Sequence, residues 1–401
     1  FQYLNIIEGV GSFSFGFFYF IALNLLVLII YFKKINFLDL SSLFILVSIP
    51  TCLYVFTNIF YFDFENFAWA GAGDDWTTFQ EASRQIVVES KWIEAGEKVF
   101  YFRPGSRYIY AISHILFGQS AFAFKILNIW SIILCSYLVI LILDKFGCEK
   151  FLSNIAGITL LSIYTADNFR WILVVGLSEY YAMIFLFIAF YLIVVKEKIT
   201  PAIFLFICLC GVIQIWLREE HAPVVLSLIF LMQFKYLEKF NNSKLSNYFN
   251  YLFNFLLKNI KIIILYFLII ILGFLSIFIR NYFVGGDIGI FDINAVKTLL
   301  KSEPLYITYF HTFSRLIFGV DQYYPTIPKL YSLINIAAII ISFKIILNYK
   351  KYIEINFALP LILFSTIFPY FFVENIAYTP RYVIHLLPTS MIICFVYLNL
   401  K

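Results

Sequence analysis

Long apolar runs, each close to twenty residues, recur along the chain between short polar connections. A helix rising ~1.5 Å per residue needs about twenty apolar residues to cross the roughly 30 Å of bilayer hydrocarbon. Measured that way, the pattern predicts spans at 12–32, 41–60, 122–145, 151–167, 175–195, 201–217, 222–237, 258–280, 330–347, 355–373 and 381–399. The runs 151–167 and 222–237 are short for a crossing, and such helices tilt little or dip in without crossing. The run Phe13 to Phe32 exceeds a signal-peptide core and has no small-residue cleavage site after it, so it reads as a span. The ten-residue alternation of a membrane β-barrel is missing. The expected fold class is all-α: a polytopic transmembrane helical bundle of about 11 spans, forming one transmembrane domain over 1–401.

One polar stretch breaks this pattern. It runs from Gly73-Asp74-Asp75-Trp76 to Arg103-Pro104-Gly105, within an outer loop over 61–121. After the aspartates, Trp76, Phe79, Ala82, Ile86 and Ile93 recur at three-to-four-residue spacing, which predicts an amphipathic helix with Arg84 off its apolar stripe. Either aspartate suits the N-cap of that helix. Pro104-Gly105 reads as a break, and Arg107 to Phe117 as a helix too short to span, closed by Gly118.

Composition strengthens the membrane reading. Hydrophobic residues make up 62% of the 401 and charged residues only 13%, about half the charged share of soluble domains. The placement of charge matters more than the net +5. Connections on one side of the predicted spans hold fifteen of the twenty-one lysines, which makes that side cytoplasmic. The other side holds all eight arginines, namely Arg84, Arg103, Arg107, Arg170, Arg218, Arg280, Arg315 and Arg381. It also includes a second long outer loop over 281–329. Guanidinium groups suit bidentate binding of phosphate or carboxylate, so the outer face is expected to carry an anion site. The alternative is that these arginines pair with nearby carboxylates or snorkel to headgroups.

The order of acidic pair, amphipathic helix, basic-Pro turn, short helix and Gly resembles the first outer loop of the GT-C superfamily. These are polytopic glycosyltransferases of the mannosyltransferase and aminoarabinose-transferase kind, which use polyprenyl-phosphate-linked sugars. Asp74-Asp75, Phe79, Ala82, Arg103-Pro104, Tyr108 and Phe117-Gly118 stand in the places of that pattern. Segments such as Ser178-Glu179-Tyr180-Tyr181, Arg280-Asn281-Tyr282 and Pro380-Arg381-Tyr382 look like others that recur in such proteins. Where the family often has a second Pro or Pro-Leu-Tyr after the basic residue, this chain reads Pro104-Gly105-Ser106.

The resemblance implies an inverting transfer of a sugar from a polyprenyl-phosphate donor to a lipid, glycan or protein acceptor. The setting it implies is a bacterial inner membrane, with the site facing the periplasm and no nucleic acid as partner. Asp74 is then the first candidate for general base, with Asp75 as second acid. A divalent cation such as Mg or Mn fits between the oxygens of this pair, although many members of the family work without one. Arg103 and Arg381 are candidates for the donor phosphate, and Arg84 and Glu179 for the acceptor or supporting roles. Tyr108, with Tyr101 and Tyr110, is a candidate to line a sugar pocket, against the plainer reading of packing and interfacial belt. His114, His221, His311 and His385 all fall on the arginine side. Glu219-Glu220-His221 lacks metal-ligand spacing, and each of the four histidines reads as structural hydrogen bonding. The six cysteines form no motif and read as small core residues. Two other classes stay open: an envelope-polysaccharide polymerase or ligase, and a flippase or transporter. The last predicts charges at span centres, and these are nearly free of charge.

Overall fold

The computed structural model describes residues 82–93, 104–117, 122–165, 169, 178–196, 198–233, 245–285, 330–348, 358–369 and 384–400. The two N-terminal spans, Asp74, Asp75, Arg103 and Arg381 lie outside the described residues. Among those described the chain is all-α, without a strand.

The helices are α1 (82–88), α2 (Pro104–Phe117), α3 (Phe122–Lys145), α4 (Lys150–Thr165), α5 (Glu179–Val195), α6 (Pro201–Leu217), α7 (Ala222–Ser227), α8 (Leu245–Gly285), α9 (Leu330–Leu347), α10 (Ala358–Ile367) and α11 (Leu386–Asn399). Segments of 3-10 helix at Glu219–His221 and Leu228–Gln233 flank α7. Local chemistry sets several of the ends. At the start of α6 the Thr200 hydroxyl accepts from the Ile203 N–H at 3.4 Å, and Pro201 occupies the first turn, where a missing N–H costs nothing. After α3, Gly147 takes φ +77°. Its N–H donates to Asp144 O and the Cys148 N–H to Leu143 O, both at 3.1 Å, which closes the helix with a Schellman pair.

α3 is packed by α4 on one side and α5 on another, and α5 in turn by α6. α11 lies against α3, α4, α9 and α10, and so ties the two halves of the chain together. Two buried hydroxyls inside α3 and α4 bond back to their own backbone. Ser136 donates to Ile132 O and Ser162 to Ile158 O, each at 2.8 Å, so no polar atom of theirs meets apolar surroundings unpaired. α6 and α8 approach closely through glycine: a Cβ on Gly273 would lie 2.6 Å from the Val212 side chain. There the Trp216 indole N–H donates to Gly273 O and Ser276 Oγ, both at 3.1 Å.

Two helical segments are long and apolar enough to cross a membrane, Leu127–Lys145 and Leu256–Val284. They differ in cover, since 61% of the first is buried and only 28% of the second. Ile264, Leu268, Ile271, Leu272, Leu275 and Ile279 give α8 an exposed apolar face.

Several predicted boundaries stand and others shift. The runs 122–145, 201–217 and 330–347 coincide with α3, α6 and α9. The run 222–237 is not one helix: α7 has six residues and passes at Leu228 into 3-10 geometry. Val224, Val225, Leu228 and Leu231 are wholly buried, so its apolarity serves the core. α8 starts thirteen residues before the predicted 258, because 245–257 contains neither proline nor glycine to stop it. Pro104-Gly105 is the first turn of α2 and not a break before it, consistent with proline's fit at that position. The predicted apolar stripe holds at Ala82 and Ile86, which are buried. It fails at Ile93, because α1 ends at residue 88 and Ser90 adopts φ +54°.

The bundle has chemically distinct ends. At one, the Asn399 side chain donates to Gly147 O at 3.0 Å and accepts from the Glu149 N–H at 3.0 Å, so the α3–α4 turn meets the end of α11. This end carries Lys145 and Lys150, and Lys344 lies over the Tyr397 ring at 5.4 Å. The other end holds Glu179, Arg218 and His385, residues of the predicted arginine-bearing side.

Candidate functional site

α6 ends where Arg218 turns extended, with φ −148° and ψ 93°, while its N–H still donates to Gln214 O at 2.8 Å. The next three residues form a 3-10 turn, and α7 follows directly. The break throws the Arg218 guanidinium toward the first turn of α5, where Nη1 donates to Glu179 Oε1 at 2.7 Å. Both side chains are fully buried. The other guanidinium nitrogen, Nη2, pairs with the Glu220 carboxylate. Glu219 is also buried, at 4% exposure. Charges this deep are tolerated only when paired, since removing them from water costs several kcal/mol each.

His221 completes the turn. One ring nitrogen meets the Gln214 side-chain amide. Its ring stands edge-to-face against His385, with centroids 3.9 Å apart and planes at 78°. His385 immediately precedes α11 and is held there from α4, whose Tyr164 hydroxyl donates to Ile384 O at 2.9 Å. One polar cluster thus joins the start of α5, the end of α6, the 3-10 turn and the start of α11.

α2 docks onto the same end. A Cβ at Gly105 would lie 2.7 Å from both the carbonyl carbon and oxygen of Trp216, so only glycine permits this approach. Tyr108 packs on the Trp216 ring at 6.1 Å, and its hydroxyl donates to Trp92 O. It also lies beside Arg280, whose Nη1 donates to Asn281 Oδ1 at 3.1 Å. Ile86 of α1 and Ala111 of α2 form a small buried contact. α1 is thereby fixed to the bundle end through α2. Arg107 is fully buried on α2, and Tyr110 sets its ring edge against Tyr181 at 6.2 Å. Burial, reinforced by Tyr181 and Glu179, pushes the Tyr110 hydroxyl well above its ordinary value of 10.0. It therefore stays protonated at any physiological pH and acts as a donor, not a base.

Of the sequence candidates, Glu179 and Tyr108 are brought to this end. Arg84 is exposed on α1 and stands outside the buried cluster. Asp74, Asp75, Arg103 and Arg381 fall outside the described residues, as does the cation site drawn between the aspartates. Among the described residues, no group of three or more His, Cys, Asp or Glu side chains is arranged to hold a metal ion. Sequence reasoning did not single out Gln214, and it counted Arg107 and Arg218 only among the eight arginines and His385 only among the structural histidines. A signal existed for Arg218, because it is an arginine at the very end of an otherwise apolar run. The signal for His385 was its place four positions after Arg381.

No family model, curated protein or solved structure matches this chain.

Proposed function

We propose that the protein is an integral membrane glycosyltransferase that transfers a sugar from a polyprenyl-phosphate donor to an acceptor hydroxyl on the arginine-bearing side. The observation that carries this reading is the convergence of Arg107, Glu179, Arg218, Glu219, Glu220, His221 and His385 at one end of an apolar helical bundle. The segments that bear the remaining candidates are tethered to the same end. Arg103 directly precedes Pro104 of α2, Arg381 stands four positions before His385, and Asp75 stands seven before Ala82 of α1. The exposed apolar face of α8 supports a bilayer setting. The lysine-bearing opposite end supports orientation with that end in the cytoplasm.

In this reading the acceptor oxygen attacks the anomeric carbon of the donor as the bond from that carbon to the phosphate oxygen breaks. The electron pair of the breaking bond leaves with the lipid phosphate. Asp74 takes the proton of the acceptor hydroxyl, with Asp75 as the second acid. Arg103 and Arg381 balance the charge that grows on the departing phosphate. Glu179 is already committed to Arg218, so its part is to hold the α5 and α6 ends together rather than to take a proton.

The test is transfer of radiolabelled sugar from a polyprenyl-phosphate donor in membranes containing the protein. Asp74→Asn is expected to abolish transfer while the protein accumulates normally, and Arg103→Ala to raise the donor concentration required. Full transfer in both Asp74→Asn and Asp75→Asn removes the base assignment. Absence of transfer from every polyprenyl-phosphate sugar offered to the wild-type protein defeats the transferase reading.

A further inference from the structure

Beside the ion-paired residues lies a set of neutral polar atoms with a different character. Gln214 is fully buried, and its Oε1 meets no partner. The hydroxyls of Ser178 and Thr389 are likewise fully buried and unmatched. Buried groups of this kind are rare in folded proteins unless water or a ligand satisfies them. They are also close to one another in the fold. The Gln214 amide abuts His221, His221 stands against His385, and Thr389 is one turn beyond His385 on the same face of α11. Ser178 adjoins Glu179, the partner of Arg218, which itself lies one turn after Gln214.

The chemistry of this set selects among ligands. A phosphate calls for a fork of arginine or for lysine, and the arginine that adjoins these atoms, Arg218, already engages two carboxylates. An amide oxygen, hydroxyls and two imidazoles offer alternating donors and acceptors with little charge, which matches the hydroxyl groups of a sugar ring. The aromatic pair Tyr110 and Tyr181 borders the set through Glu179.

We infer that Gln214 and Thr389, with His221 and His385 between them, bind hydroxyl groups of the transferred sugar and so set which sugar is accepted. This assignment rests on the transferase reading. It gives the sugar and the lipid phosphate separate partners, the first around the His221–His385 contact and the second on the tethered arginines.

The experiment titrates the full chain in detergent micelles with polyprenyl-phosphate-linked mannose, glucose and galactose, and with the same polyprenyl phosphate bearing no sugar. Gln214→Leu and Thr389→Val keep shape and remove hydrogen bonding. Each is expected to weaken binding of the preferred sugar-lipid roughly 10-fold and leave the sugar-free lipid unchanged. Thr389→Ser keeps the hydroxyl and is expected to retain affinity, which separates the contact from a packing defect. Equal loss for both lipids, or no loss for either, overturns the inference while the transferase reading stands. A wild-type protein that binds the bare lipid as tightly as every sugar-lipid also overturns it. Binding of none of the four lipids by the wild type defeats the transferase reading and this assignment with it.

Discussion

Arg218 Nη1 reaches across from the end of α6 to Glu179 Oε1, 39 residues earlier in the chain, at 2.7 Å and with both side chains out of contact with solvent. Breaking such a pair from one side leaves the other charge buried and uncompensated, at a cost of about 3–5 kcal/mol. Arg218→Met is therefore expected to lower stability by about that amount, because it strands Glu179 and Glu220 together. Glu179→Gln is expected to cost less, since Glu220 still faces the guanidinium. The double variant should lose no more than Arg218→Met alone, as glutamine needs no counter-charge. Equilibrium unfolding of the four purified proteins in micelles, read by helical circular dichroism, closes the cycle. Additive losses would remove the pair as a unit.

Gly105 makes a separate prediction. An exposed helical glycine gains about 0.5–1 kcal/mol of stability on replacement by alanine. Here the added methyl would meet backbone, with Trp216 C and O at 2.7 Å and Leu217 N at 2.9 Å, and backbone cannot swing aside as a side chain can. Gly105→Ala is thus expected to destabilise by about 1–3 kcal/mol. It should also cut sugar transfer by lifting α2, and the tethered Arg103, off the end of α6. A thermal melt with a raised midpoint would show that α2 is not clamped there.

How much of this was legible beforehand depends on what fixed each feature. α6 was readable at both ends, because Thr200-Pro201 starts a helix by local chemistry and Arg218 ends the apolar run. The 222–237 run was not, because its apolar residues say only that it is buried. Whether they bury as a crossing helix or as a short helix with 3-10 turns is decided by packing against α5 and α10. The same division holds at the site. Glu179 entered through the Ser178-Glu179-Tyr180-Tyr181 segment and Tyr108 through the loop pattern. The pairing of Glu179 with Arg218, and of His221 with His385, is a product of helix order in space, and no spacing in the chain encodes it.

The sidedness can be read by thiol labelling. Arg84 is exposed on α1 and Lys198 is exposed between α5 and α6, on opposite sides of the predicted spans. In a background freed of native cysteines, Arg84→Cys is expected to react with a membrane-impermeant maleimide added outside intact cells. Lys198→Cys should react only after permeabilisation. Of the native thiols, Cys148 should label poorly even from its own side, since burial, helped by Asp144, pushes it up to about 12. Labelling of both introduced cysteines from outside would contradict the lysine-based orientation.

The exposed face of α8 separates a bilayer protein from a water-soluble one. Leu268 is 50% exposed in the middle of the Leu256–Val284 segment, with Ile264, Ile271 and Leu272 around it. If that face meets lipid, a charge at its centre opposes insertion by about 2.5–3.5 kcal/mol. Leu268→Lys is then expected to reduce sharply the amount of protein in the membrane fraction. The same residue facing water, or the inside of a soluble assembly, predicts a different pattern. In water a lysine would improve solubility, and in a protein–protein contact it would release soluble protein. Tyr266, buried two residues away with its hydroxyl donating to Val225 O at 2.6 Å, supplies the control. Tyr266→Phe removes that bond at a cost of about 1 kcal/mol and leaves the lipid-facing surface intact, so its membrane level should stay near that of wild type. Quantifying both variants in membrane and soluble fractions distinguishes the cases: loss of Leu268→Lys alone from the membrane fits lipid contact, and a rise of Leu268→Lys in the soluble fraction rules it out.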